Sequence, residues 1–248
     1  MERIDDTGFG DIRVIQNRGS GYGVDAVLLA AFAAGETGAK GLTKGSAEPL
    51  RIADLGTGCG VAAFILHHKL GGAVMTGYDI SPNSIERARK ACIMNGLSAD
   101  IGFVCTDIKN IDAPACFDAV ITNPPYFRRT PDEPGAAEPD ERYVARHETT
   151  ADISDFAAAA AMMLRAGGHL YMVHRPDRLA DIFSAMRAAG IEPKEMQLVV
   201  PRAEKAANIL LIHGIKGAGS ELRMLPQISV HTADGGYTDE ILKYYERV

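Results

Sequence analysis

The sequence predicts one α/β domain built on a doubly wound, mostly parallel sheet. Three observations carry that expectation. Short apolar strands alternate with helices along most of the 248 residues, the pattern of a parallel sheet with helical crossovers. A strand at 52–55 enters a glycine-rich turn, Gly56-Thr-Gly-Cys-Gly60, which opens a helix. Three further strands run out into Asp79, Asp107 and Asn123, polar groups at the edge where open α/β sheets bind ligands.

The elements follow in order. Residues 1–50 form an N-terminal strand and helix segment expected to pack on the ligand site. Its helix, 26–34, is apolar, and Asp25 reads as its N-cap. Residues 36–49, rich in Gly, Lys and Ser, form a loop. After the strand 52–55 and the glycine turn, 61–70 is helical. The strand 74–79 ends in Asp79, and Ser81 with Pro82 marks a clean helix start that Gly96 closes. Strand 101–105 precedes Asp107, and the apolar run 117–121 leads to Asn123-Pro124-Pro125-Tyr126. A loop rich in Pro, Glu and Asp, 128–142, leaves that turn and is expected over a substrate mouth. An alanine-rich helix at 153–165 ends at Gly167-Gly168, strand 170–173 follows, and 176–189 is a helix. Strands 197–200 and 209–212 suit a final antiparallel pair, and 238–247 closes the chain as a helix.

The Asn123 turn carries the chemistry. Two prolines end the strand's hydrogen bonding and fix the backbone so that side chain and carbonyls face outward. The Asn123 side-chain oxygen and the Pro124 carbonyl can accept from one planar NH2 group, while the Tyr126 ring offers a stacking face. Such an amine is a poor nucleophile, and two acceptors pulling on its hydrogens favour the pyramidal form that attacks an electrophile. The bland alternative is a turn that merely redirects the chain.

The glycine turn allows close approach of a ligand, but its Gly-x-Gly-x-Gly spacing differs from the dinucleotide fingerprint. Asp54 ahead of it repels phosphate and attracts an ammonium or sulfonium. Asp79 is placed to accept from ribose hydroxyls and Asp107 from an adenine amino group; the alternative for each aspartate is a cap or a solvated turn.

Together, Asp54-Leu-Gly-Thr-Gly-Cys-Gly60, Asp79, Asp107 and Asn123-Pro-Pro-Tyr126 resemble the ordered motifs of class I S-adenosyl-L-methionine-dependent methyltransferases. The resemblance implies a Rossmann-like, seven-stranded sheet in which one strand is antiparallel, spanning 1–248 as a single domain. The Asn-Pro-Pro-Tyr form is similar to the branch that methylates adenine N6 or glutamine N5. The stretch 16–31 and Val144-Ala-Arg-His-Glu148 resemble the tRNA adenine-N6 methyltransferases acting beside the anticodon of tRNA1(Val). Carried onto this chain, the resemblance implies that Asp54, Gly56, Thr57 and Gly58 surround the methionine end of the cofactor. Asp79 takes the ribose, Asp107 lies by the adenine, and Asp25 reaches the cofactor from the N-terminal segment. Asn123, with Pro124 and Pro125, orients the target amine next to the cofactor. Tyr126 stacks on the target base, with Phe127, Arg128, Arg129 and Arg146 on the substrate side.

Composition suits an enzyme of this kind. The opening residues lack a signal-peptide pattern and no apolar run is long enough to cross a bilayer, so the expected location is the cytoplasm, with no membrane partner. Cys59, Cys92, Cys105 and Cys116 show no paired short spacing, and no metal is expected. The net charge of −6 is unlike a protein that grips RNA by its phosphates. A local basic rim of Arg128, Arg129, Arg142, Arg146 and His147, extended by Lys194, Arg202 and Lys205, is the expectation that reconciles the two.

The leading expectation is thus N6-methylation of an adenine in a tRNA anticodon loop. A glutamine-N5 protein methyltransferase is disfavoured because only about fifty residues precede Asp54, too few for a leading helical domain. A DNA adenine methyltransferase is disfavoured by the lack of a long base-reading insertion after Tyr126. A non-catalytic S-adenosylmethionine or RNA-binding module does not need the Asn123 turn.

Overall fold

The computed structural model describes residues 2–17, 22–43, 48–128, 143 and 147–248. The chain starts with an antiparallel hairpin, β1 (Glu2–Asp6) and β2 (Arg13–Asn17), with Ile4 opposite Ile15. Helix α1 (Val24–Ala33) follows. Every residue from Ala26 to Ala33 is buried, so this helix is a core element rather than an amphipathic surface one.

The sheet is then laid down by alternation. It takes β3 (Arg51–Leu55), α2 (Val61–Leu70), β4 (Val74–Asp79), α3 (Pro82–Met94), β5 (Ile101–Cys105) and β6 (Phe117–Thr122). Two-residue strands β7 (Phe127–Arg128) and β8 (His147–Glu148) pair with each other apart from the main sheet. Next come α4 (Ile153–Met163), β9 (Leu164–His174), α5 (Leu179–Ala188), β10 (Ile191–Val200) and β11 (Ile209–Lys216). The short β12 (Arg223–Met224), β13 (Ile228–Ser229) and helix α6 (Asp239–Tyr244) end the chain.

The spatial order is β12-β10-β11-β9-β6-β3-β4-β5, with β13 also on β10. Strands β5, β4, β3, β6 and β9 are mutually parallel, and β11 runs antiparallel to both β9 and β10. This is the expected seven-strand arrangement with one antiparallel member. The sheet nevertheless has nine strands, because β12 and β13 add to the outer edge of β10. Neither two-residue strand has enough periodicity to be read from sequence.

Chain order reverses between β3 and β6, and at such a switch point a crevice opens beyond the strand ends. Leu55, last in β3, lies opposite Thr122, last in β6. The glycine turn and the Asn123 turn therefore leave the sheet side by side.

Two apolar layers sandwich the sheet. On one face Leu28, Phe32, Phe64, Ile85 and Tyr171 pack together, with Phe64 edge-on to Phe103 at 5.6 Å. On the other, Leu55, Phe156, Met163, Leu170 and Ile182 form the core beneath α4 and α5. Ile52 and Ala53 fall in opposite layers, as the alternation along a strand buried on both sides requires.

Several helix signals hold. The Ser81 hydroxyl accepts Ser84 N at 3.2 Å with Pro82 first in α3. Asp152 and Asp155 form a reciprocal capping box on α4. Three expectations need correction. Asp25 is not the N-cap of α1: Gly23 holds that position and Asp25 lies in the first turn. Gly167-Gly168 does not end a helix. Helix α4 stops at Met163 and β9 starts at once, because Leu164 already pairs with Phe117. The strand then bulges before His169, and Gly167 at φ +75° sits in the bulge. The last crossover helix starts at Leu179, after a 3₁₀ turn at Pro176–Arg178, and β10 is longer than expected, tolerating Pro193 at a register shift. Among the described residues no helix is long and apolar enough to cross a membrane.

The N-terminal hairpin is tied to the domain through Asn95, which caps the end of α3. Its Oδ1 accepts Arg13 N at 2.9 Å and its Nδ2 donates to Arg13 O at 2.7 Å. Asn95→Ala should cost about 1 kcal/mol and speed amide exchange in β1 and β2 while leaving β3 and β6 unchanged; equal protection everywhere would refute the tether.

Candidate active site

The glycine turn is held to the neighbouring strand by its own backbone. Gly56 N and Thr57 N both donate to Tyr78 O, at 2.9 and 3.0 Å. Gly56, Gly58 and Gly60 have φ of +71°, +56° and +83°, which side chains with a Cβ rarely adopt. A Cβ on Gly58 would meet nothing within 4 Å, whereas one on Gly60 would strike Phe103 at 2.7 Å. The turn is thus open on its ligand side at Gly58 and closely packed where it enters α2.

Two carboxylates brace it. Asp54, only 2% exposed, accepts the Thr57 hydroxyl at 2.7 Å. Asp79 accepts Gly58 N through Oδ2 and Ser81 N through Oδ1, both at 2.8 Å. Burial raises the Asp54 pKa to about 7; the Thr57 hydroxyl opposes that rise and the Asp79 charge adds to it. Burial also raises Asp79, against the Ser81 and Gly58 amides and the Arg87 charge. Arg87 thus acts on Asp79, while what opposes the rise at Asp54 is hydrogen bonding alone.

The second half of the site follows β6. The Thr122 hydroxyl donates to Leu55 O at 2.8 Å and locks the two strand ends together. Beyond it, the Tyr126 hydroxyl donates to Asp25 Oδ2 at 2.9 Å. Burial, followed by the Asp25 charge, drives the Tyr126 pKa well above its ordinary value, so it remains a phenol. Burial raises Asp25 as well. The Tyr126 ring meets His174 edge-on at 5.2 Å. His174 Nδ1 accepts Arg175 N at 2.8 Å, and burial, with the Arg178 charge, lowers its pKa to about 4. The imidazole beside the turn is therefore neutral at physiological pH.

Outside this centre, Phe127 is exposed between Arg175, 5.2 Å from its ring, and His147, 5.6 Å away; His147 in turn stacks on Tyr143 at 3.9 Å. Arg128 ion-pairs with Asp181 at 2.7 Å, and Arg178 bridges Asp181 and Glu148. Arg128, Glu148, Arg178 and Asp181 line a groove of about 560 Å³ between α4 and α5.

The expected residues divide accordingly. Asp54, Gly56, Thr57 and Gly58 at the end of β3, Asp79 at the end of β4, and Asn123, Pro124, Pro125 and Tyr126 after β6 lie at one edge of the sheet, and Asp25 joins them by contacting Tyr126. Asp107 lies near its edge but acts as a cap: its Oδ1 accepts Lys109 N at 2.9 Å in the 3₁₀ turn Ile108–Asn110. Arg129, Arg142, Arg146 and the loop 129–142 lie outside the described residues. Lys194 does not extend a basic rim. It precedes Met196, which is level with Thr122 across the sheet, and its Nζ donates to the carbonyls of Gly219 and Ser220. Arg202 and Lys205 follow β10 on the correct edge but three strands from β6. Cys59 has the bland role: it accepts weakly from Gln16 Nε2 at 3.7 Å. His174 and Arg175 carry no sequence signal, and although Gln16 begins the stretch 16–31 and Gly77 lies in the strand 74–79, no spacing in the sequence links any of the four to the two turns. Among the described residues no group of three or more His, Cys, Asp or Glu side chains could hold a metal.

A family model described as "Methyltransferase domain" matches residues 47–191. A tRNA1(Val) (adenine(37)-N6)-methyltransferase of Porphyromonas gingivalis is 30% identical over 165 residues, 64% of this chain and 60% of that protein. The chain thus spans less than two thirds of that relative's length. One of the same name from Aeromonas salmonicida is 27% identical over 226 residues, 89% of this chain and 86% of its own. A release factor glutamine methyltransferase of Chlorobaculum tepidum is 30% identical over 165 residues, covering 61% and 54%. A crystal structure from Agrobacterium tumefaciens described as a predicted O-methyltransferase superposes with a TM-score of 0.68 at 24% identity, covering 90% of this chain and 97% of that one.

Gly77 shows how tightly the cradle is built. A Cβ there would lie 2.6 Å from Phe103 Cδ1 and 2.7 Å from Thr57 Oγ1. Gly77→Ala should lower stability to urea by about 1 to 3 kcal/mol; an unchanged midpoint would show that the turn yields freely.

Proposed function

The chain belongs to the methyltransferase-domain family matched over residues 47–191, and from that premise we propose that it is an S-adenosyl-L-methionine-dependent N-methyltransferase acting on N6 of an adenine in a tRNA anticodon loop. The observation that carries the reading is the union of two half-sites across β3 and β6: a buried acidic cradle and an Asn-Pro-Pro-Tyr turn joined by the Thr122 bond to Leu55 O. The donors present fit the cofactor. Asp54 lacks a cationic partner among the groups acting on it, which suits an ammonium or sulfonium, and the open space at Gly58 admits the methionine end. Asp79 keeps lone pairs for two ribose hydroxyls beyond its two backbone bonds, and Asp107 stands near the crevice edge for an adenine amine.

When bound, the cofactor supplies a methyl group made electrophilic by its sulfonium. The chain's part is positioning. The Asn123 oxygen and Pro124 carbonyl accept the hydrogens of the acceptor amine, freeing its lone pair. Tyr126, with Phe127 beyond it, provides aromatic faces for a base taken out of its stack. Neutral His174 braces the Tyr126 ring without adding positive charge to the crevice. Arg128, and from the family resemblance Arg129 and Arg146, are the candidates for phosphate contact, and tRNA is the proposed partner. The compartment is the cytoplasm.

A glutamine side-chain amide would satisfy the same two acceptors, and the similarity to a release factor glutamine methyltransferase favours keeping it as the second reading. Radiolabelled cofactor incubated with total tRNA and with total protein separates them. Label in tRNA, recovered as N6-methyladenosine, is expected; label in protein would overturn the acceptor, and label in neither would leave a binding module.

Asn123→Ala should cut transfer by about 100-fold or more while leaving cofactor affinity within about threefold, because it removes an interaction with the acceptor alone. Cofactor binding should also depend on pH. Burial raises the Asp54 pKa to about 7, and a bound cation favours its ionised form. Affinity should therefore weaken as pH falls from about 7 to 5, approaching tenfold per unit for a single coupled proton. Calorimetry of Asp54→Asn should show a flatter profile, and equal slopes would place the cation elsewhere.

A further inference from the structure

The end of β9 meets the Asn123 turn in two successive pairs. His174 lies edge-on to Tyr126 with ring centres 5.2 Å apart, and the next residue, Arg175, sets its guanidinium over the Phe127 ring, 5.2 Å from its centre. The pairs differ in exposure. His174 is buried, whereas Phe127 is 42% exposed and the Arg175 side chain 38%. The guanidinium is held in place from two further sides. His174 Nδ1 accepts Arg175 N at 2.8 Å, and Arg175 Nε donates to the two carboxylate oxygens of Asp177 at 3.4 and 3.3 Å. Other arginines near the turn are more fully engaged. Arg128 Nη2 reaches Asp181 at 2.7 Å, and Arg178 reaches Asp181 through Nε and Glu148 through Nη2. Among the described residues, neither Nη group of Arg175 has a hydrogen-bond partner.

We propose that Arg175 is a phosphate-binding residue at the mouth of the site, its two Nη groups taking a phosphodiester of the strand that carries the target nucleotide. This rests on the tRNA reading above. A base taken out of its stack and seated against Tyr126 leaves its own sugar and phosphates outside. The next side chains outward from Tyr126 and His174 are Phe127 and Arg175, so the backbone of that nucleotide passes where this guanidinium stands. The chemistry fits a phosphate. A guanidinium anchored through Nε still presents N–H groups in a rigid fork, which matches two oxygens of one phosphate. Its rest on the Phe127 ring reduces the freedom it loses on gripping a ligand, since a planar cation on an aromatic face is already partly ordered. Asp177 does not use up that capacity. Its side chain is 61% exposed, so its hold on Arg175 is weak and screened by salt, and it occupies Nε alone.

The test measures binding of total tRNA to the parent protein, Arg175→Ala and Arg175→Lys across a salt series, alongside turnover with radiolabelled cofactor. Arg175→Ala should weaken tRNA binding by about tenfold at low salt and make the slope of log affinity against log salt shallower by about one, the mark of one lost phosphate contact. The loss should appear in KM for tRNA, with kcat and the cofactor Kd within about threefold of the parent. Arg175→Lys should keep the parent slope, because the charge remains, and recover only part of the affinity, because the fork is gone. A residue that merely supports the turn would leave the salt slope where it was. An unchanged slope in Arg175→Ala, a loss confined to kcat or to cofactor affinity, or an Arg175→Lys slope as shallow as that of Arg175→Ala would each overturn the inference. The acceptor reading fails separately. If tRNA takes no label but the slope shift is present, the phosphate contact stands and the acceptor assignment falls; if tRNA is labelled and the slope is indifferent to Arg175, the assignment stands and the contact falls.

Discussion

The pairing of β3 with β6 is the constraint on which the site depends. Leu55 and Thr122 end their strands opposite each other, and the Thr122 hydroxyl spans the gap to Leu55 O. The two segments are more than sixty residues apart in sequence, yet their exits are fixed to neighbouring positions by the β3–β6 pairing and the Thr122 side-chain bond. A register slip of one residue would invert every side chain on the slipped strand and would carry Asn123 away from the glycine turn. The two apolar layers prevent that slip, because Ile52 and Ala53 are buried on opposite faces.

Electrostatics give the crevice its character. Asp25, Asp54 and Asp79 are each raised mainly by burial, so folding withholds water from carboxylates without supplying full compensation. Such groups cost stability in the empty protein and are relieved by a cation. The adjacent histidine behaves in the complementary way: burial lowers His174 to about 4, leaving a ring that packs against Tyr126 without competing for the acidic crevice.

The segment ahead of the sheet completes the site. The hairpin brings Gln16 to Cys59 in the glycine turn, Asn95 anchors the same hairpin to α3, and α1 carries Asp25 to Tyr126. Buried as it is, α1 shares one core with the sheet, and Phe9 and Val14 belong to the same cluster. The outer groove is different. Arg128 and Asp181 pair at the surface, where such a pair contributes little to stability, whereas Arg178, which bridges Asp181 and Glu148, and Glu148 itself are largely shielded from solvent.

The sequence by itself determined the alternation of elements, the glycine turn, the Ser81 and Pro82 helix start, and the polar residue at each strand end. These are local signals, written in period and turn chemistry within a few residues. It also placed Asn123-Pro-Pro-Tyr126 at a strand tip, since two prolines cannot continue a ladder. Only the tertiary structure decided that Gly167-Gly168 lies in a bulge, that β12 and β13 extend the sheet, and that Asp107 caps its own turn. It alone brought Asp25, His174 and Gln16 to the two turns and withdrew Lys194 from the rim. Those outcomes depend on which strands pair, in what register, and on which side chains then lie within hydrogen-bonding reach. Such distances are set by the whole packed core, and no spacing along the chain encodes them.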